Sequence, residues 1–353
     1  MAATDPIPFS VLDLAIVGEG SGHSEALRNS VELAQTVERL GYHRHWVAEH
    51  HNIPGIASSE PAVLAAALAA KTETIRIGSG GVMLPNHVPL VIAEQFGMLE
   101  ALNPGRIDLG IGRAPGTDQI TAAALRRSVE PLSDEDFPRQ LAELFGFFKG
   151  EFPEGHPYNQ IKAVPGAGDV PEIWLLGSSG YSAQLAGMLG MRFSFAHHFM
   201  PQNTDAALEL YRSRFRPSED LPEPYAMVAC AALAAEDDER ARYLSGPARL
   251  SMARLRAGRP TRFPTPEEAA AHKFSAQEEE SISALSGSAA IGGPDTVRAK
   301  LDQLVERTAA DELMITTMVH DHADRIRSYE LIAQTYELSG PDAVGAGATM
   351  EER

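Results

Sequence analysis

The clearest shortages in this 353-residue sequence are of cysteine and of positive charge. The single cysteine, Cys230, excludes an intramolecular disulfide and is typical of a reducing compartment. It lies in the apolar run 227–233, so we interpret it as a small core residue rather than a reactive thiol. The formal net charge of −18 argues against a nucleic-acid partner, because a phosphate backbone binds to basic patches.

Long apolar segments are also missing. The longest, residues 61–70, is alanine-rich and too short to span a bilayer, so we expect no membrane association. The N-terminus lacks the basic region of a signal peptide, and we therefore expect a cytoplasmic protein. No GxGxxG motif follows the first predicted strand, which disfavours a doubly wound dinucleotide-binding sheet.

A regular alternation of short apolar runs and helical segments is present instead. We predict eight strands, at residues 11–17, 43–48, 75–80, 107–111, 173–176, 192–196, 225–233 and 312–317. The first helix, 24–40, is expected to be capped by Ser24 and closed by Gly41. Eight strands that alternate with helices predict an α/β fold, a (β/α)8 TIM barrel. The doubly wound sheet is the alternative.

Two long insertions interrupt this alternation, after the fourth and the seventh strands. Residues 114–170 carry a predicted helix at 135–148, and residues 234–310 carry helices near 236–255 and 266–286, then a turn at 292–294. Insertions on the catalytic face often form lids or substrate walls, and the second is our candidate lid. We expect one domain over residues 1–338 and a disordered tail over 339–353.

Polar residues and glycines follow most of the predicted strands. They are Glu49-His50-His51, Gly80-Gly81, Gly112-Arg113, Gly177-Ser178-Ser179-Gly180, His197-His198 and Met318-Val319-His320. Because the carboxyl ends of all strands in a parallel barrel meet at one mouth, we expect these residues to form one polar rim.

Two of these segments indicate a ligand that has a phosphate and a flat ring. The segment 177–183, GSSGYSA, joins a strand to a helix, so its free N–H groups and the helix dipole favour a phosphate, and Arg113 could add a charge-assisted pair. The glycines Gly80 and Gly81 would let a ring approach the backbone closely. The alternatives are an ordinary helix cap beside a surface arginine, and a simple kink at a strand end.

The histidines after the second strand raise the question of a metal site. Adjacent histidines on an extended segment point to opposite sides, and no HxH motif follows the first strand, so we predict no bound metal. His87 is expected to fix the loop after the third strand. The alternative interpretation of His50 is a packed histidine at a strand end.

Four motifs together resemble the bacterial-luciferase-like flavin-dependent monooxygenases, in their alkanal-monooxygenase-like branch. The motifs are WVAEHH (46–51), IRIGSGGVMLPNHVPL (75–90), EQFGMLEALNPGRIDLGIGRAPG (94–116) and WLLGSSGYSAQLA (174–186), and the resemblance covers roughly residues 8–338. It implies a homodimer that uses reduced FMN, supplied by a separate NAD(P)H:flavin reductase, and O2. A peroxyflavin would then oxygenate an organic substrate by hydroxylation, epoxidation or Baeyer–Villiger insertion, with secondary metabolism as one setting.

The same resemblance implies roles for individual residues. Arg113 and the turn residues Gly177, Ser178, Ser179, Gly180, Tyr181 and Ser182 would hold the FMN phosphate. Gly80 and Gly81 would lie beneath the isoalloxazine ring, where the family carries a non-proline cis peptide. His50 would act in proton transfer beside the flavin, and Glu49 and His198 are further catalytic candidates.

This sequence also departs from luciferase. Gly112 precedes Arg113 where luciferase has its reactive cysteine, and Gly177 replaces a carboxylate, so light emission is not implied. Three other functions stay open: a deazaflavin-dependent oxidoreductase on the same fold, a metal-dependent barrel hydrolase, and a non-catalytic flavin-binding protein.

Overall fold

The computed structural model of the protein describes residues 7–127 and 136–340. The strands are β1 (Phe9–Asp13), β2 (Arg44–Val47), β3 (Arg76–Met83), β4 (Ile107–Gly112), β5 (Glu172–Gly177), β6 (Arg192–Ala196), β7 (Ala226–Ala234), β8 (Ala290–Gly292) and β9 (Glu312–Thr316). The helices are α1 (His23–Arg39), α2 (Pro61–Ala69), α3 (Pro89–Leu102), α4 (Gln119–Arg126), α5 (Asp136–Lys149), α6 (Gly180–Leu189), α7 (Thr204–Arg214), α8 (Asp238–Arg256), α9 (Pro266–Ala271), α10 (Ala276–Ser288), α11 (Pro294–Thr308) and α12 (His322–Thr335).

Eight of these strands close into a parallel barrel. Strands β1 to β7 pair in sequence order, and β9 pairs with both β7 and β1 to complete the ring. The short strand β8 extends the sheet beside the end of β7. Barrel strands are covered by helices outside and by side chains inside, which is why β1 and β4 are buried along their whole length. The predicted (β/α)8 barrel is confirmed, with β9 as its eighth strand.

The barrel interior is filled from its N-terminal end. Arg44 at the start of β2 forms buried ion pairs of 2.8 Å with both Asp108 and Glu312. Above this charged layer, the rings of Trp46 and Trp174 pack edge to face with centroids 5.4 Å apart. Because side chains close the barrel from below, its C-terminal mouth is the open end for a ligand.

In the first βα unit, the predicted end of the strand and the predicted N-cap of the helix were wrong, whereas the predicted end of the helix was right. β1 ends at Asp13 rather than at residue 17, and Ala15 just beyond it has a positive φ of 50°. The N-cap of α1 is Gly22, not Ser24, and no side chain caps this end. The predicted stop at Gly41 is confirmed, since Gly41 has a φ of 88° and its N–H donates to the carbonyl oxygen of Glu38.

Both insertions are present, and both have more structure than predicted, since α4 in the first insertion was not predicted. The helix predicted at 135–148 is α5, although residue 135 itself lies outside the described residues. The predicted continuous helix at 266–286 is wrong. It is two helices, because the chain is extended at His272 and Ser275 starts α10 with a capping box to Glu278. Strand β8 and helix α11 were not predicted, and Pro294 begins α11 rather than only ending a turn.

The second insertion is joined to the barrel mouth by backbone hydrogen bonds. The N–H of Phe263 donates to the carbonyl of Val17, and the N–H of Glu19 donates to the carbonyl of Phe263, each at 2.9 Å. Residues 261–263 therefore lie against the loop that follows β1.

Within the described ranges, no helix is both long and apolar enough to cross a membrane. Residues 341–353 of the predicted disordered tail lie outside the described residues.

Candidate active site

The polar residues predicted at the strand ends lie at the C-terminal mouth, because all barrel strands are parallel. Glu49 follows β2 and is fully buried. Its carboxylate accepts hydrogen bonds from the backbone N–H of Met83 at 2.8 Å, from Asn86, and from the Nε2 atoms of His51 and His87, each at 2.9 Å. Burial raises the pKa of Glu49, but these hydrogen bonds, led by that of His87, lower it below its usual value.

This arrangement makes Glu49 the link between the end of β2 and the loop that follows β3. Both of its oxygens are engaged. The predicted role of His87 in fixing this loop is confirmed by its bond to Glu49. Asn86 and His51 were not predicted as partners of Glu49, although the short motif PNH at 85–87 was an available signal for Asn86.

The loop after β2 is also fastened to the loop after β4. The N–H of His51 donates to the carbonyl of Gly116, and the hydroxyl of Thr117 donates to the carbonyl of His51 at 2.8 Å. The side chain of Asn52 donates to Asp118, which caps α4. Glu49 and these bonds hold three neighbouring strand ends in one rigid wall of the mouth, and His50 is carried on this wall.

His50 and His198 are both neutral near pH 7. The pKa of His50 is lowered to about 4, mainly by burial, with smaller contributions from the nearby His198 and His51, and against the effect of Glu49, which raises it. Its Nδ1 atom is buried and has no hydrogen-bond partner among the described residues. In His198, Nδ1 lies 2.9 Å from the carbonyl oxygen of Ala229, so Nδ1 carries the proton and Nε2 is an acceptor. Burial also lowers the pKa of His198.

The adjacent His197 takes a different place. It is buried, and its Nδ1 lies 2.7 Å from the hydroxyl oxygen of Thr204 at the start of α7. Burial lowers the pKa of His197 to about 4. Its contacts lie on the helix side of β6, so His198 is the member of the pair that lies near His50.

The turn between β5 and α6 and the end of β4 come together, as predicted. The guanidinium carbon of Arg113 lies 4.2 Å from the ring centroid of Tyr181 in the first turn of α6. Arg113 is exposed and has no ion pair or hydrogen bond with the described part of the chain. Ser179 is the N-cap of α6, but its side chain makes no capping bond. The first N–H groups of α6 and the charge of Arg113 therefore stand open for an anion.

The rest of this turn is held by packing. A Cβ on Gly177 would lie 2.4 Å from the Cβ of Ser182, so the strand end meets the buried first turn of α6 closely. The side chain of Asn203 donates to the carbonyl of Ser178 at 3.2 Å. Ser182 thus lies behind the turn, whereas Ser178, Ser179 and Gly180 are partly exposed.

Gly80 and Gly81 form a segment without side chains within β3, which runs to Met83 rather than ending at residue 80 as predicted. The peptide bond between them is cis, and the pairing with β4 shifts its register between Gly80 and Val82. A Cβ on Gly80 would lie 2.9 Å from Leu12 Cδ1, and one on Gly81 would lie 2.6 Å from the carbonyl oxygen of Gly110. Packing therefore excludes a side chain at Gly81 and crowds one at Gly80, which leaves bare backbone at this place. Among the described residues, no group of three or more His, Cys, Asp and Glu side chains could hold a metal ion.

The fold and this mouth define a (β/α)8-barrel protein whose candidate site combines three features. They are an uncapped helix start beside Arg113, a glycine shelf formed by Gly80 and Gly81, and neutral histidines. Residues 7–312 match the family model described as luciferase-like monooxygenase. The chain is 46% identical over 331 residues to the luciferase-like monooxygenase of Escherichia coli K12, which covers 94% of this chain and 97% of that protein. It is 35% identical over 330 residues to the N-acetyl-S-alkylcysteine monooxygenase of Bacillus subtilis 168, and this match covers 93% of this chain and 97% of that protein.

A solved structure agrees with these sequence comparisons. The crystal structure of apo-MsnO8 matches with a TM-score of 0.84 and 36% identity, and the match covers 95% of this chain and 100% of that one. The protein belongs to the luciferase-like monooxygenase family and is an oxidoreductase. The resemblance recognised in the four sequence motifs is confirmed.

Proposed function

We propose that this protein is an FMN-dependent monooxygenase that uses reduced FMN and O2 to oxygenate a small organic substrate. A separate NAD(P)H:flavin reductase would supply the reduced FMN. The observation that carries the proposal is the position of Arg113, which has no carboxylate partner among the described residues and lies beside the uncapped start of α6. A phosphate would satisfy both groups at once.

FMN fits the residues present at the mouth. Arg113, the first N–H groups of α6 and the hydroxyls of Ser178 and Ser179 would hold its phosphate. The ring would lie on the glycine shelf at Gly80 and Gly81, because no side chain covers the backbone there. Glycine is kept at these positions because a Cβ would clash with Leu12 or with the backbone of Gly110. This combination of an anion site and a side-chain-free surface supports a flavin nucleotide over a ligand without a phosphate.

Reduced FMN would supply the two electrons that reduce one atom of O2 to water while the other atom enters the substrate. His50, neutral near pH 7, can accept a proton at this mouth. His198 is fixed by Ala229 so that its Nε2 offers a second acceptor. Glu49 keeps the wall that carries His50 in place through its bonds to His51 and His87. The packed layer at Trp46 and Trp174 excludes water from below.

The test is rapid mixing of the protein and photoreduced FMN with oxygenated buffer, followed by absorbance. A transient species distinct from reduced and oxidised FMN, longer-lived than in free solution, is the expected result. Reoxidation identical to that of free FMN would overturn the proposal, and turnover with a reduced deazaflavin without O2 uptake would replace it. Tight binding of oxidised FMN without product would instead indicate a flavin-binding protein. Thioethers such as N-acetyl-S-alkylcysteines are the first substrates to screen, because one similar protein is named for them.

We also propose that the protein is a homodimer through helices α2 and α3. Both helices are apolar on nearly all sides, and their outer faces expose Val63, Val91, Met98 and Leu102, with Leu102 73% exposed. Helices that are apolar all round are normally buried. An apolar patch of this kind on two neighbouring helices fits an isologous contact with a second copy of the chain.

A further inference from the structure

Seven arginines lie between residues 240 and 262, in and just after α8, in a protein whose formal net charge is −18. Three of them are neutralised by ion pairs: Arg240 with Asp324, Arg249 with Glu279, and Arg254 with Glu268. The other basic side chains of this stretch therefore stand out against an acidic surface.

The last three, Arg256, Arg259 and Arg262, are called the rim arginines here. Within the described ranges, none of the three has a carboxylate partner. Arg256 and Arg259 are exposed, and Arg262 is partly buried with one N–H donated to the carbonyl of Ser21 at 2.8 Å. The carboxylates that follow them are engaged elsewhere: Glu267 accepts from the hydroxyl of Tyr243, and Glu268 pairs with Arg254. The charge of the rim arginines is therefore not neutralised by an ion pair within the described residues.

Their place in the fold is the barrel mouth. Phe263, next to Arg262, exchanges backbone hydrogen bonds with Val17 and Glu19 in the loop after β1. A Cβ on Gly55, in the loop after β2, would lie 2.8 Å from the carbonyl oxygen of Thr261. Both loops follow barrel strands, so the rim arginines lie at the end of the barrel where FMN would enter.

A phosphate monoester carries a charge of about −1.5 to −2 at neutral pH. A protein with a net charge of −18 repels such a ligand over most of its surface. Charges of opposite sign at a cleft raise association rates by roughly 10- to 1,000-fold at low ionic strength. The flavin must also enter and leave in every cycle if a reductase supplies it, so the rate of entry matters as much as the affinity.

We propose that Arg256, Arg259 and Arg262 form an electropositive entrance that draws the phosphate of FMN to the mouth and leaves its final binding to Arg113. This inference rests on the proposed function, since it takes FMN as the ligand. The rim arginines act on the association rate constant, whereas Arg113 acts on the dissociation rate constant.

Association can be followed by stopped-flow tryptophan fluorescence, because the only two tryptophans, Trp46 and Trp174, lie in the barrel interior below Gly80. In the triple variant R256Q/R259Q/R262Q, the association rate constant of FMN should fall about tenfold at low ionic strength. The difference should vanish in high salt, where charges are screened within about 3 Å. The dissociation rate constant and the association of riboflavin, which lacks the phosphate, should not change. The double variant R256Q/R259Q keeps the bond of Arg262 to Ser21 and should show most of the effect.

The matched control removes three exposed arginines from the opposite end of the barrel. Arg39, Arg214 and Arg216 lie at or just after the C-terminal ends of α1 and α7, and R39Q/R214Q/R216Q changes the net charge by the same amount. Glu19 lies at the same rim as Arg262, so E19Q should raise the association rate constant of FMN.

Equal FMN association rate constants in R256Q/R259Q/R262Q and the wild type would overturn the proposal of an electropositive entrance. So would an equal loss in the control variant, an equal loss for riboflavin, or a loss seen only when a reductase delivers the flavin. In each of these cases normal oxygen chemistry with bound FMN would leave the proposed function intact. A wild-type protein that does not bind FMN at all would overturn both.

Discussion

The guanidinium of Arg113 lies over the ring of Tyr181, 4.2 Å from its centroid, although the two residues come from different βα units. A cation–π contact orients the guanidinium without neutralising its charge, unlike an ion pair with a carboxylate. Tyr181 therefore holds a full positive charge beside the start of α6. This relationship brings two separate sequence motifs together at the place where we propose that the phosphate binds.

The variant R113A should weaken FMN binding by roughly 10- to 100-fold, because hydrogen bonds to a charged group contribute about 1.5–3 kcal/mol. Riboflavin binding should be nearly unchanged, since riboflavin lacks the phosphate. Titration of both flavins by fluorescence quenching measures the difference. Equal losses for the two ligands would remove Arg113 from the phosphate site. R216A removes an exposed arginine at the opposite end of the barrel and serves as the control that should bind FMN normally.

The variant H50Q should leave FMN affinity within a few-fold of wild type while product formation falls by about 10²–10⁴-fold, the usual contribution of a positioned acid–base group. The buried Nδ1 of His50 has no partner among the described residues, so the substitution breaks no hydrogen bond seen in the structure. Single-turnover product analysis with reduced FMN measures the effect. Wild-type turnover in H50Q would show that His50 is only a packed histidine.

Buried neutral histidines predict a dependence of stability on pH. The pKa of His50 is about 4 in the folded protein and near 6.5 when unfolded, so the unfolded state binds more protons between these values. Its contribution to stability is fully present above the unfolded pKa and is lost as the pH falls towards 4. The free energy of unfolding should therefore drop by on the order of 2 kcal/mol between about pH 7 and about pH 5 from His50 alone.

His197, with a pKa of about 4, adds a loss of the same sign, whereas His87, whose pKa is raised by its bonds to Glu49, opposes it. Urea unfolding at several pH values measures the slope, and H50Q should flatten it. An unchanged slope in H50Q would mean that the imidazole of His50 is solvated in solution.

Much of the fold and of the site could be predicted from sequence because both depend on local pattern. Each barrel strand is a short apolar run that ends in polar residues or glycine, and parallel closure then brings those ends together. Strand β8 was missed because three residues, AIG, carry no periodicity. Helix α11 was missed because Gly292-Gly293-Pro294 is typical of a turn, yet proline also suits the first position of a helix.

Contacts between distant segments could not be predicted. The resemblance made Glu49 a catalytic candidate, and the structure shows that its carboxylate accepts hydrogen bonds from Met83, His51 and His87. Nothing in the sequence near Glu49 specifies that the loop after β3 folds back onto it. The partners of a buried carboxylate depend on tertiary packing, which local propensity does not encode.

Gly80 and Gly81 should differ in how they tolerate alanine. A Cβ on Gly81 would meet the backbone oxygen of Gly110 at 2.6 Å, whereas a Cβ on Gly80 would meet the side chains of Leu12 and Trp46. Backbone in a barrel strand cannot move aside, so G81A should cost about 1–3 kcal/mol or more of stability and G80A less. Chemical denaturation compares the two, with G287A as the control, since a Cβ at Gly287 meets nothing within 4 Å. Equal stability of G81A and wild type would show that β3 and β4 can separate at this point.

The homodimer proposal predicts that a charge on the outer face of α3 yields a monomer. Met98 is 51% exposed there, and M98E would place a carboxylate in the apolar contact with the second copy, where an unpaired charge is costly to bury. Analytical ultracentrifugation should then change from dimer to monomer at micromolar protein concentration. The control M188E places the same charge on α6, where Met188 is 43% exposed on another side of the barrel, and it should stay dimeric. A monomeric wild type, or a dimer that survives both M98E and V63E, would place the subunit contact elsewhere or remove it.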